Sequence, residues 1–167
     1  MPFDHILIRP AQADDATEAA RLICASICGL CQADHGCLPD IIARWTANKT
    51  PGQMRRWIER GPLTILVAFR NGQMMGVGAT IDDSEIALNY VDPDARFSGV
   101  SAALLAAMEE RLALAGARRA CLTSTLTARA FYVARGWQPS GMPVSEFGLA
   151  GFPMEKALAS PEGAPAG

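Results

Sequence analysis

The sequence has 167 residues, 50% of them hydrophobic and 19% charged, with a formal net charge of −2. That balance fits one globular domain with a single sizeable core, argues against disorder, and leaves no basic footprint for general nucleic-acid binding. No apolar run reaches the length of a membrane span, and the first nine residues lack the apolar centre of a secretory signal, so a cytoplasmic protein that meets neither membrane nor nucleic acid is expected.

The chain opens with an apolar run, Ile6-Leu7-Ile8, stopped at Pro10, which reads as a strand. Asp14 or Asp15 then caps a helix over residues 16–30, where Ala19, Leu22, Ile23, Ile27 and Leu30 recur at helical spacing. Gly36, Pro39 and Asp40 mark a break. A second helical segment carries Ile41, Ile42, Trp45, Met54, Trp57 and Ile58, interrupted near Pro51 and ended by Gly61-Pro62. Trp45 and Trp57 are expected in the core.

From residue 63 the pattern turns to strands. Residues 63–69 are rich in β-branched and aromatic side chains, and Asn71-Gly72 is a tight-turn signal. Residues 73–81 return as the partner strand, with Gly76 and Gly78 leaving one face bare. Asp82-Asp83 turns the chain into a strand over 85–91, stopped at Pro93. A helix over 100–114 ends at Gly116, followed by a strand at 119–123 and a short helix over 127–135 closed by Gly136. Two short strands are expected at 138–142 and 152–156, and the Pro- and Gly-rich tail from Ser160 is expected to be disordered. The order β-α-α-β-β-β-α-β-α-β-β implies a mixed α/β (α+β) sheet flanked by helices, as one domain over residues 1–159.

The segment from Tyr90 to Leu105 carries the strongest chemical signal. A strand ends at a proline, a polar loop follows, and small residues open a helix. Unpaired N–H groups at the positive end of a helix dipole form a phosphate site. Gly99 allows close backbone approach, and Ser101 keeps bulk low one turn in. The segment lacks the lysine of a Walker loop and the paired glycines of a dinucleotide fingerprint.

Val91-Asp92-Pro93 followed by Arg96-Phe97-Ser98-Gly99-Val100-Ser101 resembles the acetyl-CoA signature of the GNAT acetyltransferase superfamily, with Ser101 where Gly or Ala is usual. Thr125, Ala128, Tyr132 and Gly136-Trp137 resemble the later block of that family, with Thr125 where Asn is common. The resemblance implies a mostly antiparallel central sheet and acetyl-CoA as cosubstrate. It implies cofactor contacts from the backbone of Val91 and from Arg96, Phe97, Ser98, Gly99, Val100, Ser101 and Thr125. It also implies Tyr132 as general acid for the departing thiolate, an amine of a small molecule or peptide as acceptor, and a homodimer through the C-terminal strands. The first helices of this fold wall the acceptor pocket, which makes Asp34 and His35 candidate substrate contacts.

No general base stands out. Glu85 is the candidate, with Asn89, a third candidate substrate contact, on its face by strand alternation and Tyr90 on the other face as packing. Cys24, Cys28, Cys31, His35 and Cys37 are of metal-ligating type. They lack paired knuckles, and the first three share a predicted core face, so packing without bound metal is expected. The odd count of five cysteines points to reduced thiols. Two other readings stand beside the enzyme: a non-catalytic acyl-CoA-binding module, and a zinc-stabilised interaction protein.

Overall fold

A computed structural model describes residues 5–160. The expected disorder of the tail concerns residues that lie outside the described ones, apart from Ser160, whose hydroxyl accepts a hydrogen bond from Arg118 at 2.5 Å. The elements are β1 (Leu7–Pro10), α1 (Ala16–Leu30), α2 (Gln32–His35), α3 (Pro39–Thr46), α4 (Pro51–Arg60), β2 (Thr64–Arg70), β3 (Gln73–Ile81), β4 (Glu85–Val91), α5 (Val100–Leu114), β5 (Arg119–Ser124), α6 (Arg129–Val133), β6 (Gln138–Pro139), β7 (Val144–Glu146) and β8 (Leu149–Ala157). Single 3₁₀ turns precede α1 (Ala13–Asp15) and α5 (Pro93–Ala95). The sheet runs β1-β2-β3-β4-β5-β8-β6, with β7 hairpinned onto β8. Every neighbouring pair is antiparallel except β4 with β5.

Alternation along the strands divides the core in two. Ile65 and Val67 of β2 face one cluster with α1, Trp45 and Met54; Leu66 and Ala68 face the other, built on Leu104, Leu105, Met108 and Leu112 of α5. The bare stretch of β3 is what lets α5 approach. A Cβ on Gly76 would stand 2.7 Å from Leu104 Cδ1, and one on Gly78 would stand 2.9 Å from Met108 Sδ.

Two expectations need correction. The chain between β1 and β2 forms four helices, not two. Gly36 takes φ 55 and ends α2 after one turn. Pro39 and Pro51 then start α3 and α4, where their missing N–H costs no helical bond. The C-terminal strands are also divided differently. Of residues 138–142 only Gln138–Pro139 pairs, and a hairpin of β7 and β8 follows. Its two-residue turn is Phe147-Gly148, with φ of 54 and 79. A primed turn requires such positive angles, and phenylalanine is a poor advertisement for one.

Candidate active site

The sheet opens where β4 meets β5. The two strands pair only at Glu85 and Cys121, where Cys121 N–H donates to Ser84 O at 2.9 Å. Beyond that point each strand is held by its outer neighbour, β4 by β3 and β5 by β8, and the strands part. A cavity of about 540 Å³ fills the wedge. Asp92 N–H donates to Met75 O on β3 at 2.8 Å. Backbone groups point to alternate sides along a strand, so those of Val91 and Asn89 turn toward the wedge.

A bulge decides which side chains of β4 enter. Leu88 pairs with Ala79 and Ile86 with Thr80, leaving Ala87 as the extra residue. Asn89 is therefore level with Gly78, on the face covered by α5. Glu85 is level with Ile81, which shares the opposite face with Ala79. Unbroken alternation would put Glu85 and Asn89 together; the bulge separates them. Asn89 lines the cavity and Glu85 does not. The Asn89 Oδ1 is buried and has no hydrogen-bond partner among the described residues.

The loop from Asp92 to Gly99 is fixed from outside. The Asp92 carboxylate accepts from Asp94 N–H at 2.9 Å and pairs with Arg21 of α1 at 3.0 Å. Arg70 donates to Ser98 O at 2.9 Å, and the Ser98 hydroxyl donates to Ala95 O. Gly99 caps α5 with φ 86, and the first helical bond runs from Ala103 N–H to Gly99 O. The N–H groups of Val100, Ser101 and Ala102 precede that bond and have no helical acceptor. No acidic residue stands in the first turn to compete for them. All the sequence-predicted loop residues from Arg96 to Ser101 line the cavity. Phe97 adopts φ 61 and is 92% exposed, with the Arg96 guanidinium 4.6 Å from its ring.

Tyr132 and Thr125 close the other wall. The Tyr132 ring meets Phe131 and Trp137 edge-on at 5.1 and 6.0 Å, and only 6% of the residue is exposed. Burial pushes its phenol up to about 12, a shift that the neighbouring Asn89 side chain opposes. Trp137 donates to Glu109 of α5 at 3.0 Å, which ties this wall to the helix beneath. Thr125 Oγ1 accepts from Ala128 N–H at 3.1 Å and so caps the turn into α6.

The α1–α2 corner differs from expectation. His35 is 1% exposed and so is closed off inside the fold rather than open to a substrate. Its Nδ1 accepts from Cys37 N–H at 3.0 Å, and its Nε2 donates to Ile27 O at 2.8 Å. With both nitrogens committed, it has no lone pair for a metal. Asp34 accepts from Leu126 N–H at 2.7 Å, from Thr127 N–H at 3.1 Å and from the Thr127 hydroxyl. Neither residue lines the cavity. The cysteines do not share a core face either: Cys28 is exposed, Cys24 half-buried and Cys31 buried. Trp45 and Trp57 pack with the first core cluster.

Sequence reasoning missed the cavity residues Ser26, Leu30 and Cys31, which come from α1 and its end. Ser26 on an otherwise apolar helical face was the available signal. It also missed Phe131 and Arg135, paired with the guanidinium 3.8 Å from the ring.

The family described as Acetyltransferase (GNAT) domain matches residues 33–158. The chain belongs to the GNAT family of acetyltransferases. Its general activity is transfer of an acyl group from acetyl-CoA. A GCN5-related N-acetyltransferase from Rhodopseudomonas palustris, also described as an aminotransferase of class II, is 25% identical, with a TM-score of 0.84 over 95% of this chain and 99% of that one. PaiA N-acetyltransferase from Thermoplasma acidophilum, solved with coenzyme A, is 17% identical, with a TM-score of 0.75 over 92% and 99%. A ribosomal-protein-alanine N-acetyltransferase from Brucella melitensis is 21% identical, with a TM-score of 0.69 over 91% and 99%. Among curated proteins, none matches the chain in sequence. Among the described residues, no helix of this GNAT protein is long and apolar enough to cross a membrane.

Proposed function

We propose that the protein is a cytoplasmic N-acetyltransferase that passes the acetyl group of acetyl-CoA to an amine of a small molecule or peptide by direct attack. The observation that carries this reading is one cavity lined both by the residues that open α5 with free N–H groups and by Tyr132. The α5 terminus and the Gly99 backbone would receive the pyrophosphate, since nothing lies within 4 Å of a Cβ built on Gly99. The turned-out backbone of Val91 would pair with the pantetheine amides. Arg135 and Phe131 offer a cation and a ring face to the nucleotide end. Acetyl-CoA supplies an activated thioester.

The chain's own residues then have two tasks. One is to hold the thioester carbonyl where a β4 N–H can stabilise developing charge. The other is to give a proton to the departing sulfur as the C–N bond forms and the C–S bond breaks; the attacking nitrogen sheds one proton to water, which in turn restores the donor. Tyr132 keeps its proton at neutral pH and would donate it. Cys31 also lines the cavity, but burial pushes its thiol up to about 12. A thiol that stays protonated is a weak nucleophile, which favours direct transfer over an acyl-enzyme. The C-terminal arm exposes Met142, Val144 and Phe147, a surface that suits a homodimer and is read by light scattering.

One observation favours the second reading, a non-catalytic acyl-CoA-binding module: the residues lining the cavity include no carboxylate and no imidazole. The discriminating experiment offers acetyl-CoA with an alkyl amine, an aromatic amine, a polyamine and a short peptide with a free α-amino group, and follows thiol release. Transfer to any of them supports the enzyme. Tight CoA binding with no acceptor-dependent thiol release supports the module.

A further inference from the structure

Tyr132 sits on a helix of five residues, too short to fix its own direction. The turn before it, from Thr125 to Ala128, decides where that helix starts. Thr125 Oγ1 satisfies one N–H of the turn, and the next two outward N–H groups, those of Leu126 and Thr127, go to Asp34. The Thr127 hydroxyl makes a third bond to the same carboxylate. Asp34 lies 92 and 93 residues away in the chain and belongs to α2. It spends its acceptor capacity inside the fold, so it is not arranged to meet a cationic amine. The α2 turn is itself anchored: His35 bonds Ile27 O on α1, and Asp34 N–H bonds Cys31 O. Cys31 and Leu30 line the same cavity as Tyr132. A continuous set of bonds therefore runs from α1 through α2 to the turn that aims the phenol.

We propose that Asp34 is a positioning residue: from α2 it holds the 125–128 turn, and through that turn it sets the direction of the Tyr132 side chain in the cavity. This rests on the reading of Tyr132 as the proton donor. A carboxylate suits the task because it accepts several N–H and O–H bonds at once, and because a charged acceptor makes each of them stronger than a neutral one would. Asparagine at the same position keeps the volume but turns an NH₂ group toward donors.

The test is steady-state kinetics on the full chain, with acetyl-CoA and the most active acceptor of the amine panel. Asp34→Asn is made alone and together with Tyr132→Phe, and circular dichroism verifies the fold. Alone, Asp34→Asn should lower kcat about 10-fold or more and leave the KM for acetyl-CoA within about threefold, because the α5 terminus is untouched. On top of Tyr132→Phe it should change kcat less than about twofold, because the hydroxyl it positions is gone. Thr127→Val removes one of the three bonds and should show the same pattern at smaller size; it carries the test where Asp34→Asn does not fold. An equal loss in both backgrounds would mean a merely structural residue and overturn the proposal. A raised KM for the amine at unchanged kcat would mean a substrate contact and overturn it too. Parental turnover by Tyr132→Phe alone removes the proton-donor reading and this proposal with it, an outcome visible before any Asp34 variant is made.

Discussion

The two walls of the cavity are built in different ways. The wall proposed for the cofactor, from Val91 to Ser101, is made of consecutive residues that act through their backbone: a strand that ends, a glycine at φ 86, and a helix start with free N–H groups. The opposite wall, proposed for the acceptor, is made of side chains brought from afar. Cys31 follows the end of α1, Thr127 is held by Asp34 from outside the cavity, and Asn89 is turned inward by a bulge at Ala87. A wall of the first kind is sensitive to single changes of backbone freedom or charge. A wall of the second kind distributes its geometry over several bonds, and single changes should cost less.

The largest effect should come from the first wall. Gly99→Asp combines a side chain at positive φ with a carboxylate where a pyrophosphate would bind, and should weaken CoA binding by roughly 100-fold or more. Gly99→Ala carries the strain without the charge, since no atom lies within 4 Å of its Cβ, and should cost about 1 kcal/mol, or less than tenfold. Calorimetry with CoA measures both. If the two variants weaken binding equally, charge at the α5 terminus is irrelevant and the anion site lies elsewhere.

Next is Tyr132→Phe, which keeps the ring contacts with Phe131 and Trp137 and removes only the hydroxyl. The expected loss in kcat is about 100-fold, the lower end for a general acid, because a thiolate already leaves well. Substrate affinity should change little. A folded variant with parental turnover, measured where chemistry limits the rate, would show that the phenol is packing. Because burial keeps the phenol protonated up to about 12, the parent should show no alkaline limb from this group at neutral to mildly basic pH.

The contrast between the walls also explains what was legible in the sequence. The loop from Val91 to Ser101 could be read because glycine, proline and small residues act through the backbone of their immediate neighbours. The bare face of β3 was visible for the same reason, as Gly76 and Gly78. Asn89 and Glu85 could not be placed, because one inserted residue at Ala87 reverses every later side chain and leaves no mark in composition. His35 and Asp34 were seen as chemically able residues, but their partners Ile27, Cys37 and Thr127 are chosen by tertiary packing. The β7–β8 hairpin was lost because its turn uses Phe147 at positive φ.

A smaller effect is expected at His35. His35→Leu removes two buried hydrogen bonds and leaves Ile27 O and Cys37 N–H to find other partners. The expected cost is about 2 kcal/mol of stability, read from denaturant unfolding. The KM for the acceptor amine should stay within about threefold, because the ring does not line the cavity. A large rise in that KM with unchanged stability would return His35 to the substrate site.

The smallest effect on turnover should be at Cys31, the one thiol among the cavity residues. Direct transfer asks nothing of it, so Cys31→Ala should keep kcat within about twofold, and the parent protein should show no acetyl adduct by intact mass after incubation with acetyl-CoA alone. Its mark should appear in stability against pH instead. Burial raises the thiol from 9.0 to about 12, with the nearby Asp34 carboxylate adding to the shift. A group whose folded pKa is raised contributes stability that is fully present below the unfolded value and is lost as pH climbs through the folded one. Stability should therefore fall between about pH 9 and 12, and the buried phenol of Tyr132, also raised to about 12, adds to the same decline. Cys31→Ala removes the thiol's share. The variant should be less stable at pH 7, where a packed sulfur has been deleted, yet lose less stability on going from pH 8 to pH 10.5. Urea unfolding at the two pH values measures this difference. Equal losses in parent and variant would mean that the thiol is hydrated in the folded state, and a hydrated Cys31 with an ordinary pKa would reopen the acyl-enzyme route.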